Sequence, residues 1–125
     1  KTKDFADSEY RLVFGHVAPH SQQDSFNHML PRLRKMTEGL FKGNPAKYPI
    51  DLWFAGHIHR YQAIPGTNEW QFPVITLGGG AGKSFPGAAI LVEIKNKKLY
   101  ITAFDTNGEI NDKFSMEDRQ LKKNE

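Results

Sequence analysis

The sequence predicts an α/β fold: a mixed sheet flanked by helices and finished by antiparallel hairpins. Three observations point there. Two apolar runs of strand length, Tyr10-Arg11-Leu12-Val13-Phe14 and Ile50-Asp51-Leu52-Trp53-Phe54-Ala55, each lead into Gly-His. Between them, apolar residues recur at spacings of three and four, the pattern of an amphipathic helix. The last third of the chain reads as short strands separated by turn residues. Strand, helix and strand in that order predict a parallel pair, because parallel strands need a crossover of a dozen or more residues.

Each element follows from local chemistry. Residues 1–9 are polar and are expected to fray. The first strand ends at Gly15-His16. Pro19 makes Val17 to Ser21 a loop, since it can neither sit inside a helix nor donate to a ladder. Phe26, Met29, Leu30, Leu33, Met36, Leu40 and Phe41 predict a helix over about 22–42, with Ser21 as its cap and Asp24 favouring its first turn. Pro31 predicts a kink or break inside it. Gly43-Asn44-Pro45 ends it. After the second strand, Arg60 to Ile64 starts another, with Pro65-Gly66-Thr67-Asn68 as a turn. Phe72 to Leu77 is a further apolar strand that runs into Gly78-Gly79-Gly80-Ala81-Gly82. Ala88 to Ile94 and Leu99 to Phe104 form a hairpin through Lys95-Asn96-Lys97-Lys98. Asn107-Gly108 is the strongest turn signal and predicts a type I′ geometry, with Glu109 to Phe114 pairing after it. The organised part is therefore 10–114, and 115–125 is expected to be a polar, frayed tail.

The 125 residues suffice for one domain or a piece of one. Lacking an initiator Met, the sequence is expected to be a processed or excised product. No run reaches the roughly 20 apolar residues of a membrane span, and no signal-peptide core follows Lys1. The absence of cysteine excludes disulfides, thiolate metal sites and thiol nucleophiles. The net charge of +3 is mild and partly sits in Lys1-Thr2-Lys3 and Lys122-Lys123, so the sequence argues for no nucleic acid partner and no membrane partner.

The histidines carry the chemical signal. His16 follows the first strand, and His57 and His59 follow the second. On extended backbone, His57 and His59 point to one face. Loops after neighbouring parallel strands meet at the carboxyl edge, where ligands bind in such sheets. Three neutral imidazoles there suit a transition metal such as zinc, iron or manganese. Taken singly, a histidine at a strand end is an ordinary surface residue; the repeated strand-Gly-His pattern is what makes a site. A cupin-like site needs a Glu soon after the pair, and a metallo-β-lactamase-like site needs Asp-His. Arg60-Tyr61-Gln62-Ala63 supplies neither.

The pattern resembles the calcineurin-like metallophosphoesterases, including purple acid phosphatase-like members. Leu12-Val13-Phe14-Gly15-His16-Val17-Ala18-Pro19 is similar to their strand-His-x-x-Pro motif, and Gly56-His57-Ile58-His59 to their Gly-His-x-His motif. The glycine run after Leu77 and the terminal hairpins also suit it, so the likeness spans about residues 10–114. It implies the C-terminal half of a metallophosphoesterase-type β-sandwich. It further implies two divalent or trivalent ions (Fe, Zn or Mn), with His16 and His57 on one and His59 on the other. The substrate would be phosphorylated. Compartment stays open, with the likeness leaning toward export.

The departures narrow this expectation. The family's Asp-x-His, Gly-Asp-x-x-Asp and Gly-Asn-His motifs do not occur here. Asn27-His28 falls within the predicted helix, after Phe26 and before Met29, and reads as structural. No catalytic residue is therefore assigned in this chain, which by itself should be inactive. The missing half, or a second copy in a homo-oligomer, is the expected partner. The alternative is a non-catalytic binding or oligomerisation module that keeps the fold. Gly78 to Ser84 ends like a phosphate-binding loop, but Leu77 stands where that motif needs Gly. A substrate-facing loop through Gly79 and Gly80, or a plain structural turn, fits better. His20 lies close enough to His16 in sequence to contact phosphate or a water, although a surface-loop role suits it better. Trp53 and Trp70 read as packing residues.

Overall fold

The computed structural model describes residues 3–21, 25–78 and 87–125. It is a mixed α/β arrangement of two four-stranded sheets and few helices. The elements are α1 (Lys3–Asp7), β1 (Leu12–Gly15), a 3-10 turn (Phe26–His28), α2 (Pro31–Phe41), β2 (Leu52–Ala55), β3 (Gln62–Ile64), β4 (Val74–Thr76), β5 (Ala89–Lys95), β6 (Lys98–Phe104), β7 (Ile110–Glu117) and β8 (Gln120–Lys123). The first sheet has the order β1-β2-β4-β3, the second β5-β6-β7-β8. β1, β2 and β4 run parallel, as the strand-helix-strand order predicts, and β3 returns antiparallel. No helix among the described residues is long and apolar enough to cross a membrane.

Alternation along the strands builds two apolar layers. In β2, Leu52 and Phe54 face the second sheet, while Trp53 and Ala55 face α2 and its flanking loops. The inter-sheet layer joins Leu52, Phe54 and Ile75 to Leu99, Ile101, Phe114 and Met116. The outer layer packs Trp53, Trp70, Phe72 and Ile50 with Phe41 of α2. Both tryptophans are buried packing residues, as expected. Tyr10 fastens the sheets: its hydroxyl donates to the Lys97 carbonyl at 2.8 Å and accepts from the Leu99 N–H at 3.0 Å.

Four local expectations are corrected. The helix predicted over 22–42 begins only at Pro31, which occupies its first turn instead of kinking its middle. Proline is favoured there because its missing N–H has no helical partner to lose. Leu30 precedes it in extended geometry and no side chain caps the helix, so the Ser21 cap is not formed; Asp24 lies outside the described residues. The segment expected to fray at the N-terminus carries α1, with Phe5 edge-on to Tyr48 and beneath the Arg11 guanidinium. The polar tail carries structure too: β7 extends through Glu117 and β8 pairs back on it. Finally, Asn107-Gly108 is not a type I′ turn. Only Gly108 has positive φ, and the Asp105 carboxylate accepts from the Asn107 and Glu109 N–H groups. Two-residue turns with both central residues at positive φ occur instead at Asn96-Lys97 and Asp118-Arg119.

Candidate metal centre

β1 and β2 pair in register, Gly15 opposite Ala55. The next residues, His16 and Gly56, extend that ladder: the Gly56 N–H donates to the His16 carbonyl at 3.0 Å. His16 and His57 thus leave the carboxyl edge side by side. Their rings meet edge to face with centroids 5.1 Å apart, and His57 Nδ1 lies 3.2 Å from His16 Nε2. Gly15 is required here by close approach. A Cβ on it would stand 2.7 Å from Cζ2 of the buried Trp53 ring.

The pair after β2 departs from the extended geometry expected of it. His57 has φ 67° and His59 φ 52°, so both are in the left-handed region. Non-glycine residues avoid that region, and histidine is among the few that enter it with any frequency. The turn nonetheless brings His59 within electrostatic reach of His57. Burial lowers the His57 pKa, and His16, His28 and His59 lower it further, since each opposes a second positive charge. Neutral imidazole, the form that binds metals, is thereby favoured.

The structure adds a residue that sequence reasoning set aside. His28 Nδ1 lies 2.8 Å from His57 Nε2, with the two rings edge to face at 5.0 Å. Its position on the 3-10 turn is held by neighbours. Ser25 is buried and accepts the His28 N–H through its carbonyl, Phe26 packs edge-on against Trp70, and Asn27 Oδ1 accepts from Arg34. The signal for it was Pro31. Taken as a helix start, Pro31 leaves residues before it outside the helix, in the crossover that departs from the site.

His20 has another task. Its Nε2 donates to the Phe72 carbonyl at 2.9 Å and its ring tilts over the Phe72 ring, pinning the loop after β1 to the strand entry of β4. Burial lowers its pKa, partly opposed by that hydrogen bond. With that N–H committed to the carbonyl, the neutral ring has only an Nδ1 lone pair left, which cannot donate the phosphate contact expected of it. Gly79 and Gly80, the other expected substrate contacts, lie outside the described residues.

Beside the histidines runs an apolar groove of about 430 Å³, between β1 and α2. Leu33 and Met36 of α2 line it, as does Phe14, which is 73% exposed. The helix therefore shows water much of the apolar face that its spacing predicts should be buried. A scan against protein-family models returns no match, and a search of curated proteins returns none.

Proposed function

We propose that this chain is the histidine-bearing C-terminal part of a metal-dependent phosphoesterase, related to the calcineurin-like family, whose remaining ligands lie on another stretch of polypeptide. The observation that carries the reading is the approach of His16 Nε2 to His57 Nδ1 at the carboxyl edge of adjacent parallel strands. Zinc–imidazole bonds of about 2.0–2.1 Å in tetrahedral geometry place two ligand nitrogens roughly 3.4 Å apart. The 3.2 Å gap suits two donors on one ion. His59, on the same turn, suits a second ion. Two such ions supply Lewis acidity toward phosphoryl oxygens and lower the pKa of water. The residues present would hold them by neutral nitrogen, which leaves their positive charge available to phosphate.

Full-length protein carrying the carboxylate ligands is expected to hydrolyse an aryl phosphate when manganese or zinc is added, and His59→Ala to abolish the activity. Undiminished turnover by His59→Ala would sink the assignment. The 125-residue chain alone is expected to show negligible turnover.

A second reading, a binding or oligomerisation module, is favoured by one observation. β1 is an edge strand whose outer side is unpaired among the described residues, and exposed Phe14 stands on it beside the apolar groove. Open edges and exposed apolar patches invite a partner strand. Sedimentation tests this reading: assembly of this chain with itself supports it, and a clean, stable monomer counts against it.

A further inference from the structure

We propose that His28 is a positioning residue that sets the tautomer of His57, by accepting the His57 Nε2–H on its own Nδ1. The proposal deepens the metal reading and rests on it.

The argument is a proton count. Neutral imidazole has one N–H and one lone pair. His57 stands between two other imidazoles, with Nδ1 toward His16 Nε2 and Nε2 toward His28 Nδ1. Two arrangements satisfy both contacts. In one, His57 carries its proton on Nε2 and donates to His28, so its Nδ1 lone pair faces His16. In the other, His28 Nδ1 donates, the His57 proton moves to Nδ1, and the nitrogen facing His16 has no lone pair for an ion. The partner of Nε2 therefore decides whether Nδ1 can be a ligand. Metal-binding histidines usually donate their second N–H to a carboxylate, a carbonyl or a water, which fixes both tautomer and ring orientation. Here an imidazole takes that place.

Two features make His28 suited to it. The shorter of the two contacts, at 2.8 Å, is the one on the His28 side. The turn carrying His28 is fastened by Ser25, Phe26 and Asn27, so its ring arrives on a fixed backbone. His28 is itself exposed, and its Nε2–H can be solvated by water while Nδ1 accepts.

The test uses the full chain, free of metal, at a pH where the rings are neutral. Long-range 1H–15N correlation spectra should show His57 mainly as the Nε2–H tautomer in the wild type. His28→Leu should shift it toward a mixture. His28→Asn should restore it, because Asn Oδ1 stands close to where Nδ1 stood and accepts the same bond. Co2+ affinity should fall on the order of 10- to 100-fold in His28→Leu, the usual loss for such a partner, and recover largely in His28→Asn. Thermal melts check that each variant folds. A wild-type Nδ1–H tautomer, or a His57 tautomer indifferent to His28→Leu, overturns the proposal. Failure of full-length protein carrying the remaining ligands to bind Co2+ or Zn2+ overturns the metal reading instead, since the tautomer result does not depend on it.

Discussion

The antiparallel sheet closes on itself through local turns, whereas the parallel-edged sheet collects its open ends at one rim. In the antiparallel sheet, β5–β6 and β7–β8 are joined by two-residue turns at positive φ, and buried residues alternate strictly along β6. In the other sheet, strands are three or four residues long, and the left-handed residues are histidines. Both sheets share the layer around Leu52, Phe54, Leu99 and Ile101. The difference separates a region that supplies stability from one that gives stability up at its rim to hold side chains together.

Substitutions can break that contrast, beginning with the shared layer. Ile101 is 1% exposed in the middle of β6, against both neighbouring strands and the facing sheet. Ile101→Ala is expected to cost about 4 kcal/mol in a urea titration, from lost transfer energy plus the cavity left behind. A loss under 1 kcal/mol would mean that the two sheets are not packed through this residue.

At the rim, the largest effect falls on Gly15. The Cβ of Gly15→Ala would press on a Trp53 ring wedged between Phe41 and Phe72. Overpacking of this kind is expected to cost about 2 kcal/mol. It should also displace His16, so Co2+ binding should weaken along with stability. The corresponding Cβ on Gly56 meets His16 only at 3.6 Å, an ordinary contact, and Gly56→Ala should be much milder. Equal losses at the two glycines would remove the distinction between them.

The contrast also explains what was readable beforehand. The antiparallel sheet follows from near neighbours in sequence, so alternation and turn length sufficed for the β5–β6 hairpin. The Asp118-Arg119 turn escaped because neither residue is a turn signal of the Asn-Gly kind, and the polar Lys122 and Lys123 hid a strand. Asn107-Gly108 misled for a related reason: Asp105 captures the backbone N–H groups that a tight turn would leave exposed. In the first sheet, strand-Gly-His twice over placed His16 and His57 together, because parallel register follows from order alone. His28 did not follow. Its position depends on where a helix begins, and the apolar spacing across Pro31 suggested continuity where the backbone has a break. The left-handed backbone at His57 and His59 has no sequence signal either, since glycine is the residue that normally announces it.

That backbone yields a smaller, differential test. His59→Ala and His59→Gly remove the same imidazole, but only glycine enters the left-handed region without penalty. His59→Gly is expected to be the more stable by about 1 kcal/mol, the usual cost of placing a Cβ there. Equal stabilities would show that His59 does not hold its φ of 52° in solution.

The smallest effect is a pH dependence. Folding keeps His20 neutral by burying it, so the unfolded chain holds a proton on this ring more tightly than the folded one does. Its contribution is therefore complete above the unfolded value of 6.5 and is lost as pH falls below that value, until the folded ring is protonated as well. His57 is lowered in the same direction, by burial first and by its neighbouring histidines next, so it acts in the same window. Replacing His20 with Gln keeps an N–H for the Phe72 carbonyl and removes one titrating group. Urea midpoints measured from pH 8 to pH 5 should fall less steeply in His20→Gln than in the wild type, with the remaining slope set largely by the rim. An unchanged slope would mean that His20 is open to water in the folded chain, and that the loop after β1 is fastened by some contact other than its bond to Phe72.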